Sequence, residues 1–334
     1  MLLITTPRFD EHTTPPGHPE RPERAHVFDA VAARWLERAG RTAAPRPATE
    51  AELVRVHTPE HVRRIAATAK RPGVALDPDT FTSPESYEIA LLAAGAAVQA
   101  AEHALEQREP AIALVRPPGH HAEPGQAMGF CLFNNVAVAA ASAIARGVSR
   151  VAIVDIDVHH GNGTQAMFYE DPRVLYVSTH QFPFYPGTGA AQETGRGEGE
   201  GFTFNVPLEA GATDADYLAA YSVIATVLRE FAPELLLISA GFDAHADDPL
   251  ASMRVTTMGY AAIVASVTGA VACPIAAVTE GGYDLRALAG CLEATMAVLD
   301  GRTAGSHAAG GGTPRADRAL AAVRTAQAPF WPGI

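Results

Sequence analysis

Residues 150–163 read RVAIVDIDVHHGNG, an apolar run that ends abruptly in carboxylates, imidazoles and glycines. A short run rich in Val and Ile predicts a buried β-strand, and the polar residues after it predict a turn. Similar runs occur at 111–116, 174–180, 234–242 and 275–282. Amphipathic or Ala-rich stretches predict helices near 21–39, 86–107, 134–146, 214–231, 258–271 and 285–299. This alternation predicts an α/β fold, in which helices cover both faces of a parallel sheet.

All of the predicted strands end in polar or glycine residues. In open parallel sheets, ligands bind in the loops at the carboxyl ends of the strands. We therefore expect these loops to form one polar face that carries the functional site.

The bulk composition is that of a globular enzyme. A chain of 334 residues, 48% of them hydrophobic, can bury a large core, and the sequence shows no internal repeat or interior linker. We expect one domain over 1–334, with the Gly-rich connection and C-terminal helix of 302–334 packed on the body. The formal net charge of −12 disfavours nucleic-acid and anionic-membrane surfaces and suits a cationic substrate.

Cysteine usage and the N-terminal sequence indicate the compartment. Cys131, Cys273 and Cys291 stand far apart without a CxxC spacing, so neither a disulfide framework nor a thiolate zinc site is expected. The first residues lack the regions of a secretory signal, and polar residues interrupt the apolar stretches before the roughly 20 residues that a membrane span needs. We expect a cytoplasmic protein. Its oligomeric state is open, a homo-oligomer included.

A metal site is predicted at the end of the strand in 150–163. Asp155, Asp157 and His159 are spaced two apart, so their side chains project to one side of an extended chain. Carboxylate oxygens and imidazole nitrogens suit Zn²⁺ or another first-row divalent ion. Helix capping would better explain the Asp-x-Asp pair alone, but the following HHGNG places imidazoles in a tight glycine turn and favours a cleft.

A third ligand is found in FDAHADDP, which follows another predicted strand. Asp243 is the natural partner of Asp157 and His159, because three protein ligands leave a coordination position for water, as in catalytic zinc sites. His245 in the same segment is explained as well by a place beside the site or on the plain surface.

Acid and base groups are predicted in RPPGHHA and TEGGYD. The tandem His120 and His121 would be ordinary loop residues by themselves, but beside a metal they can take a proton from water and give one to a leaving amine. Each imidazole then needs an orienting partner, for which Asp155 and Asn162 are the candidates. Tyr283 follows two glycines and can donate a hydrogen bond to a developing oxyanion.

The motifs RPPGHHA, DIDVHHGNGTQ, YPGTG, AGFDAHADDP and EGGYDL, in this order, closely resemble the zinc-dependent histone deacetylase family. The resemblance runs from about residue 18 to about 300 and is strongest to the class II branch and to bacterial histone deacetylase-like amidohydrolases, in a superfamily that includes the acetylpolyamine amidohydrolases. It implies the single-domain arginase-deacetylase fold, with a parallel sheet of about eight strands. It also implies a zinc-dependent hydrolase that removes acetyl or other acyl groups from lysine-like amines by metal-activated water.

The resemblance assigns roles to single positions. It makes Asp157, His159 and Asp243 the ligands of one zinc ion per chain, His120 and His121 the catalytic histidines, Tyr283 the hydrogen-bond donor, and Asp155 and Asn162 the partners of His120 and His121. Some family members have Asp in place of Asn162. Because Asn cannot offset an imidazolium charge, we expect a lower pKa for His121 than an Asp partner would give.

Further assignments concern substrate and potassium, where the surrounding loops vary more. Gly129, Phe130 and Tyr185 would line a narrow acyl-lysine channel, Asp79 would be a rim acid that anchors the substrate backbone, and Arg24 would lie near an internal acetate exit. Family members often have Phe in place of Tyr185, so the wall should be more polar here. One K⁺ site would use Asp155, Asp157, His159, Ser178 and Thr179, and a second would use Phe168, Asp171, Val174 and Phe202.

Three other functions stay open. An acetylpolyamine deacetylase tends to carry a long loop that narrows the entrance, whereas the stretch from His57 to Tyr87 is short and favours a lysine-type entrance. A two-metal ureohydrolase would need extra carboxylates where this chain has Tyr283 and the tandem histidines. A non-catalytic acyl-group binding module would keep the pocket without the reaction. The natural substrate, the acyl length and the choice between zinc, Fe²⁺ and Co²⁺ are not fixed by residue types.

Overall fold

A computed structural model describes residues 1–302 and 312–334. Its strands are β1 (Leu2–Ile4), β2 (Arg41–Ala43), β3 (Val74–Ala75), β4 (Phe81–Thr82), β5 (Ala111–Ala113), β6 (Val151–Asp155), β7 (Val174–Gln181), β8 (Thr203–Leu208), β9 (Leu235–Ala240) and β10 (Ile275–Thr279). Its helices are α1 (Glu23–Glu37), α2 (Glu50–Leu53), α3 (Pro59–Ala66), α4 (Ser86–Gln107), α5 (Asn135–Ala145), α6 (Asn162–Phe168), α7 (Asp214–Phe231), α8 (Thr257–Gly269), α9 (Leu285–Leu299) and α10 (Pro314–Gln327). Within these two ranges, no helix is long and apolar enough to span a membrane.

The main sheet has eight strands in the order β2-β1-β5-β10-β9-β6-β7-β8, and all neighbouring strands are parallel. β3 and β4 form a separate antiparallel pair. The predicted α/β fold, with a parallel sheet of about eight strands, is confirmed.

Both faces of the sheet are covered because its central strands are apolar on both sides. In β6, Ala152 and Val154 pack into one core, and Val151 and Ile153 pack into the other. The first core lies under α1, α7, α8 and α9, and the second under α4 and α5. Such continuous apolar runs are typical of strands buried between two layers of helices.

The register of the central strands brings their carboxyl ends to one edge. Asp155 at the end of β6 pairs with Ser178 of β7 and Ser239 of β9, and Thr279 of β10 pairs with Ala240. The polar residues that follow each strand therefore emerge side by side.

The C-terminal helix packs beside β8, where Gln327 Nε2 donates to the carbonyl oxygen of Thr203 at 2.7 Å. Trp331 Nε1 donates to the carbonyl oxygen of Gly201 at 2.8 Å. The predicted Gly-rich connection falls on 303–311, outside the described residues. The single-domain organisation over 1–334 stays a prediction.

Candidate active site

The three predicted ligands form a compact cluster at this edge. Asp157, His159 and Asp243 each place one ligand atom within 4.8 Å of the others. The His159 Nδ1 atom is 3.2 Å from Asp157 Oδ1 and 3.1 Å from Asp243 Oδ2. The remaining oxygens are anchored, because Asp157 Oδ2 accepts the N–H of Gly281 at 2.9 Å and Asp243 Oδ1 accepts the N–H of Val158 at 2.8 Å.

Two glycines make room for these carboxylates. A Cβ atom on Gly241 would lie 2.0 Å from Asp157 Oδ2, and one on Gly281 would lie 2.2 Å from Asp243 Oδ2. Any side chain at either position would displace a ligand oxygen. The tight packing explains why glycine follows both β9 and β10.

The cluster attracts positive charge. Burial lowers the pKa of His159, but hydrogen bonds to Asp157 and Asp243 and their charges outweigh burial and raise it to about 10. Two carboxylate oxygens and one imidazole nitrogen are also a donor set that Zn²⁺ takes, with a coordination position left over. The residues present therefore fit a first-row divalent ion.

His120 lies beside the cluster. Its Nδ1 atom is 3.1 Å from Asp155 Oδ2, and its Nε2 atom is 3.7 Å from Asp157 Oδ1. Burial lowers the pKa of His120, but the charges of Asp157 and Asp155 outweigh it and raise the pKa to about 10. The buried Tyr176 hydroxyl donates to the same Asp155 oxygen at 3.1 Å, a contact that no sequence motif predicts.

His121 has the opposite electrostatic environment. Its ring lies 4.0 Å from that of His120, and its Nδ1 atom is 2.8 Å from Asn162 Oδ1. Burial, together with the charges of His120 and His159, holds the pKa of His121 well below its usual value. The two adjacent imidazoles thus differ, with His120 favoured as a cation and His121 as a neutral base. Whether an Asp partner would raise the pKa of His121 stays a prediction.

A buried carboxylate, Glu280, shapes the loop that carries the tandem histidines. Its Oε2 atom accepts the N–H groups of Gly119 at 2.6 Å and His120 at 3.1 Å, and its Oε1 atom accepts Ser239 Oγ at 2.7 Å. Burial raises the pKa of Glu280 to about 7, against the opposing charge of His120. Sequence reasoning missed this role, although a glutamate directly after an apolar strand was an available signal.

Tyr283 is held by its backbone and by its ring. Asp248 Oδ2 accepts the N–H of Tyr283 at 2.6 Å and that of Asp284 at 3.2 Å. The Tyr283 ring meets the Phe130 ring edge-on with centroids 5.8 Å apart, and the Arg24 guanidinium carbon lies 5.1 Å from its centroid. Asp248, which sequence reasoning also missed, is therefore a clamp on the tyrosine loop.

Arg24 belongs to a fully buried ion cluster under the site. It donates through Nε to the carbonyl oxygen of Gly282 at 2.8 Å and through Nη1 to Glu20 Oε1 at 3.1 Å. Arg116 grips both oxygens of Glu20, at 2.6 and 2.8 Å. Glu20 and Arg116 were not predicted from the sequence. Glu20 lies in HPERPER (18–24), which also contains Arg24, and Arg116 begins RPPGHH (116–121), which also contains the tandem histidines.

The predicted channel residues stand around the two histidines. A Cβ atom on Gly129 would lie 2.4 Å from His121 Cδ2, and the Tyr185 ring centroid is 5.1 Å from that of His121. Phe184, which was not predicted, stacks on His159 with centroids 5.4 Å apart. Asp79 is half-buried, and its carbonyl oxygen is 2.9 Å from His18 Nε2. The structure thus places Gly129 and Tyr185 against His121, and the N–H of Phe130 donates to Thr80 Oγ1, next to Asp79, at 3.0 Å.

The sequence profile described as the histone deacetylase domain matches residues 18–299. The chain belongs to the histone deacetylase family. The crystal structure of the HDA15 HD domain superimposes with a TM-score of 0.92 at 38% identity and covers 99% of this chain and 95% of that one. The arginase-deacetylase fold and the family resemblance are confirmed.

Relatives of the histone deacetylase family come from archaea, bacteria and plants. A probable deacetylase of Archaeoglobus fulgidus is 41% identical, over 85% of this chain and 81% of that one. The histone deacetylase-like amidohydrolase of Pseudomonas aeruginosa is also 41% identical, over 85% and 77%. Histone deacetylase 15 of Arabidopsis thaliana is 40% identical, over 95% of this chain and 59% of the longer plant protein. Membership of this family supports a deacetylase hydrolase.

The residues of the two predicted potassium sets lie on or near β7. Ser178 and Thr179 are buried in β7, where Ser178 pairs with Asp155. Phe168 ends α6, and the other members of the second predicted potassium set are Asp171, Val174 and Phe202. His245 is not a member of the ligand cluster, and its Nε2 atom is 3.3 Å from Thr257 Oγ1. The roles of the two predicted potassium sets in binding K⁺ stay predictions.

Proposed function

We propose that the chain is a zinc-dependent amidohydrolase that removes acetyl or other acyl groups from lysine-like amines. One observation carries the proposal: a buried set of two carboxylates and an imidazole lies beside the adjacent rings of His120 and His121, whose Nδ1 atoms meet Asp155 and Asn162. Hydrolysis of an amide needs both a base for water and an acid for the amine. Asp157, His159 and Asp243 would hold one zinc ion. When bound, zinc would lower the pKa of water toward about 7 and polarise a carbonyl group.

The chain's own groups would divide the proton transfers. His121 would accept a proton from the attacking water through Nε2, while Asn162 holds its Nδ1 atom. Tyr283 would donate a hydrogen bond to the oxyanion that develops as the water oxygen bonds to the carbonyl carbon. His120, whose Nδ1 atom is held by Asp155, would stabilise the negative charge of this oxyanion. When the C–N bond breaks, a protonated imidazole of the histidine pair gives its proton to the departing amine nitrogen. The products are acetate and a free amine.

The substrate would enter through the channel formed by Gly129, Phe130 and Tyr185. The half-buried Asp79 would anchor the backbone of a lysine-type substrate at the rim, and the net charge of −12 supports a cationic partner. Arg24 would line the route by which acetate leaves. K⁺ bound near β7 would stabilise the loops that carry Asp157 and His159.

An acetylpolyamine is the second candidate substrate. Between His57 and the start of α4 at Ser86, the regular elements are α3 and the short β3-β4 pair, so the short entrance loop supports the lysine-type amide. A ureohydrolase site would need a second metal, and the described residues offer the single cluster at Asp157. An acyl-group binding module without turnover is the remaining alternative.

Substrate competition tests the proposal. Purified zinc-loaded protein is given an acetyl-lysine peptide, longer acyl-lysine peptides and acetylputrescine, and kcat/KM is measured for each. We expect the acetyl-lysine peptide to be preferred over acetylputrescine. The reverse order would assign the chain to polyamines, and no turnover of any amide would favour the binding module.

We also propose that the protein works in the reducing cytoplasm. Cys131, Cys273 and Cys291 are all free, and Cys131 and Cys291 are buried, which supports a compartment where thiols stay reduced. Fractionation of the source cells would locate the protein, and recovery outside the cytoplasm would contradict the proposal.

A further inference from the structure

Asn162 links the catalytic imidazole to a carboxylate that the proposed reaction does not use. Its Oδ1 atom is 2.8 Å from His121 Nδ1, and its Nδ2 atom donates to Glu123 Oε1 at 2.8 Å. The same nitrogen also lies 3.4 Å from the thioether sulfur of Met128. His121, Asn162 and Glu123 thus form a continuous chain of hydrogen bonds.

The direction of this chain follows from its outer end. An ionised carboxylate only accepts hydrogen bonds, so Glu123 must face the NH₂ group of Asn162, and the amide oxygen must face His121. A ring nitrogen that meets an acceptor must carry the proton. We infer that Glu123 is a positioning residue that fixes the Asn162 amide and thereby selects the Nδ1–H tautomer of His121. The inference rests on the proposed function, because that tautomer leaves the Nε2 lone pair free to take a proton from water.

Glu123 can do this because its own backbone is fixed. Its N–H donates to the carbonyl oxygen of Gln126 at 2.9 Å, which closes a tight turn. The N–H of Asn134 donates to His57 Nε2 at 2.9 Å, so His57 carries its proton on Nδ1 and donates it to the carbonyl oxygen of Glu123 at 3.1 Å. His57 is buried, which keeps this anchor out of water.

The need for Glu123 is specific to an asparagine at 162. Without an acceptor at Glu123, the amide can turn over and present its NH₂ group to His121. The imidazole would then carry its proton on Nε2, where it cannot act as a base. Met128 opposes this rotation of the Asn162 amide only weakly, because a thioether sulfur is a poor hydrogen-bond acceptor. An aspartate at 162 would accept from Nδ1 in either orientation and would need no such partner.

Kinetics of variants tests this dependence. For Glu123→Ala we expect kcat on an acetyl-lysine substrate to fall about tenfold, the size typical of lost outer hydrogen-bond partners, with KM and zinc content unchanged. The double variant Glu123→Ala with Asn162→Asp should recover most of that loss, because the carboxylate needs no orientation. The matched control is Glu198→Ala, because Glu198 is an exposed glutamate that lines the same surface groove as Glu123 and Asn162. This variant should keep the kcat of the unchanged protein.

A second measurement does not depend on turnover. The ¹⁵N signals of a neutral imidazole show which nitrogen carries the proton, and the His121 signals can be assigned in the zinc-loaded protein by their loss in His121→Ala. We expect the Nδ1–H tautomer in the unchanged protein and in the double variant, and a mixture or the Nε2–H tautomer in Glu123→Ala. Glu123→Gln keeps the side-chain volume and replaces the alanine variant if that variant does not fold. We expect a mixture of the two tautomers of His121 in Glu123→Gln.

The outcomes separate the inference from the proposed function. If the unchanged protein hydrolyses none of the amides, the proposed function fails, and the tautomer measurement alone decides the inference. If it is active but Glu123→Ala keeps its kcat, or if the added Asn162→Asp gives no recovery, the inference is overturned. An unchanged Nδ1–H tautomer in Glu123→Ala and Glu123→Gln would overturn it as well.

Discussion

Removing the Tyr283 hydroxyl separates its chemistry from its packing. Of the residues that the structure describes, none forms a hydrogen bond with this hydroxyl, whereas the ring is held by Phe130 and Arg24 and the backbone by Asp248. Tyr283→Phe therefore deletes one oxygen and leaves every contact that positions the ring. Loss of one oriented donor to an oxyanion typically costs about 2.7–4 kcal/mol of transition-state stabilisation, so kcat should fall about 100- to 1000-fold.

The effect on folding should be small. Because no protein partner is lost, we expect the free energy of unfolding to change by less than about 1 kcal/mol, the net value of one ordinary hydrogen bond. The assay combines kcat and KM on an acetyl-lysine substrate, metal analysis and urea unfolding. Tyr217→Phe is the matched control, since Tyr217 is buried, its hydroxyl also lacks a hydrogen-bond partner, and it lies outside the proposed catalytic set.

Two results would contradict a catalytic role for the Tyr283 hydroxyl. If Tyr283→Phe retains kcat within about threefold of the unchanged protein, the hydroxyl does not stabilise the transition state, since the lost donor is expected to matter far more. If kcat falls together with zinc content or stability, Tyr283 supports the structure and not the reaction.

Three further predictions concern the framework of the site. Gly281→Ala should lower the affinity for zinc, because its Cβ atom would lie 2.2 Å from Asp243 Oδ2. The control is Gly269→Ala, whose Cβ atom would meet nothing within 4 Å, and this variant should bind zinc normally. Equal zinc affinities of the two variants would show that Gly281 is not needed to make room for Asp243. Asp248→Ala should lower kcat about tenfold at full zinc occupancy, and an unchanged kcat would show that the clamp on Tyr283 is dispensable. Glu20→Gln should destabilise the fold by about 3–5 kcal/mol at neutral pH. Burial raises the pKa of Glu20, but Arg116, His12 and Arg24 outweigh it and lower the pKa from 4.5 to about 2, so this stability should be lost as pH falls through that window. Acid unfolding curves that keep a constant separation between Glu20→Gln and the unchanged protein would contradict the assignment.

The centre of the fold could be predicted because its strands are buried on both faces. β6 and β9 are almost wholly apolar, and helices α4, α7 and α9 begin and end where their patterns predict. The strands toward the two ends of the sheet, β1 and β2 at one end and β8 at the other, were missed for physical reasons. β1 and β2 have three residues each, and β8 carries Asn205 and Pro207, which an edge strand tolerates because only one side is paired.

The candidate site, like the fold, could be predicted from the sequence only in part. Metal-type ligands and tandem histidines are scarce in ordinary loops, so their spacing predicts a cluster, and the structure brings Asp157, His159 and Asp243 together. Glu280 and Asp248 act by accepting backbone N–H groups from distant loops. A carboxylate in a loop has many uses, and its partner is set only by the three-dimensional fold. The ion pair of Glu20 and Arg116, 96 residues apart, is a similar case.

We expect one zinc ion, held by Asp157, His159 and Asp243, to be required for hydrolysis of an acyl-lysine amide. The most direct test of this requirement follows the release of a fluorophore from an acetyl-lysine substrate by the purified protein, before chelation, after chelation and after zinc is added back, with metal analysis of each sample. We expect about one zinc per chain, loss of turnover on chelation and return of turnover when zinc is added back. Turnover that survives complete removal of metal, or two tightly bound manganese ions per active chain, would contradict it.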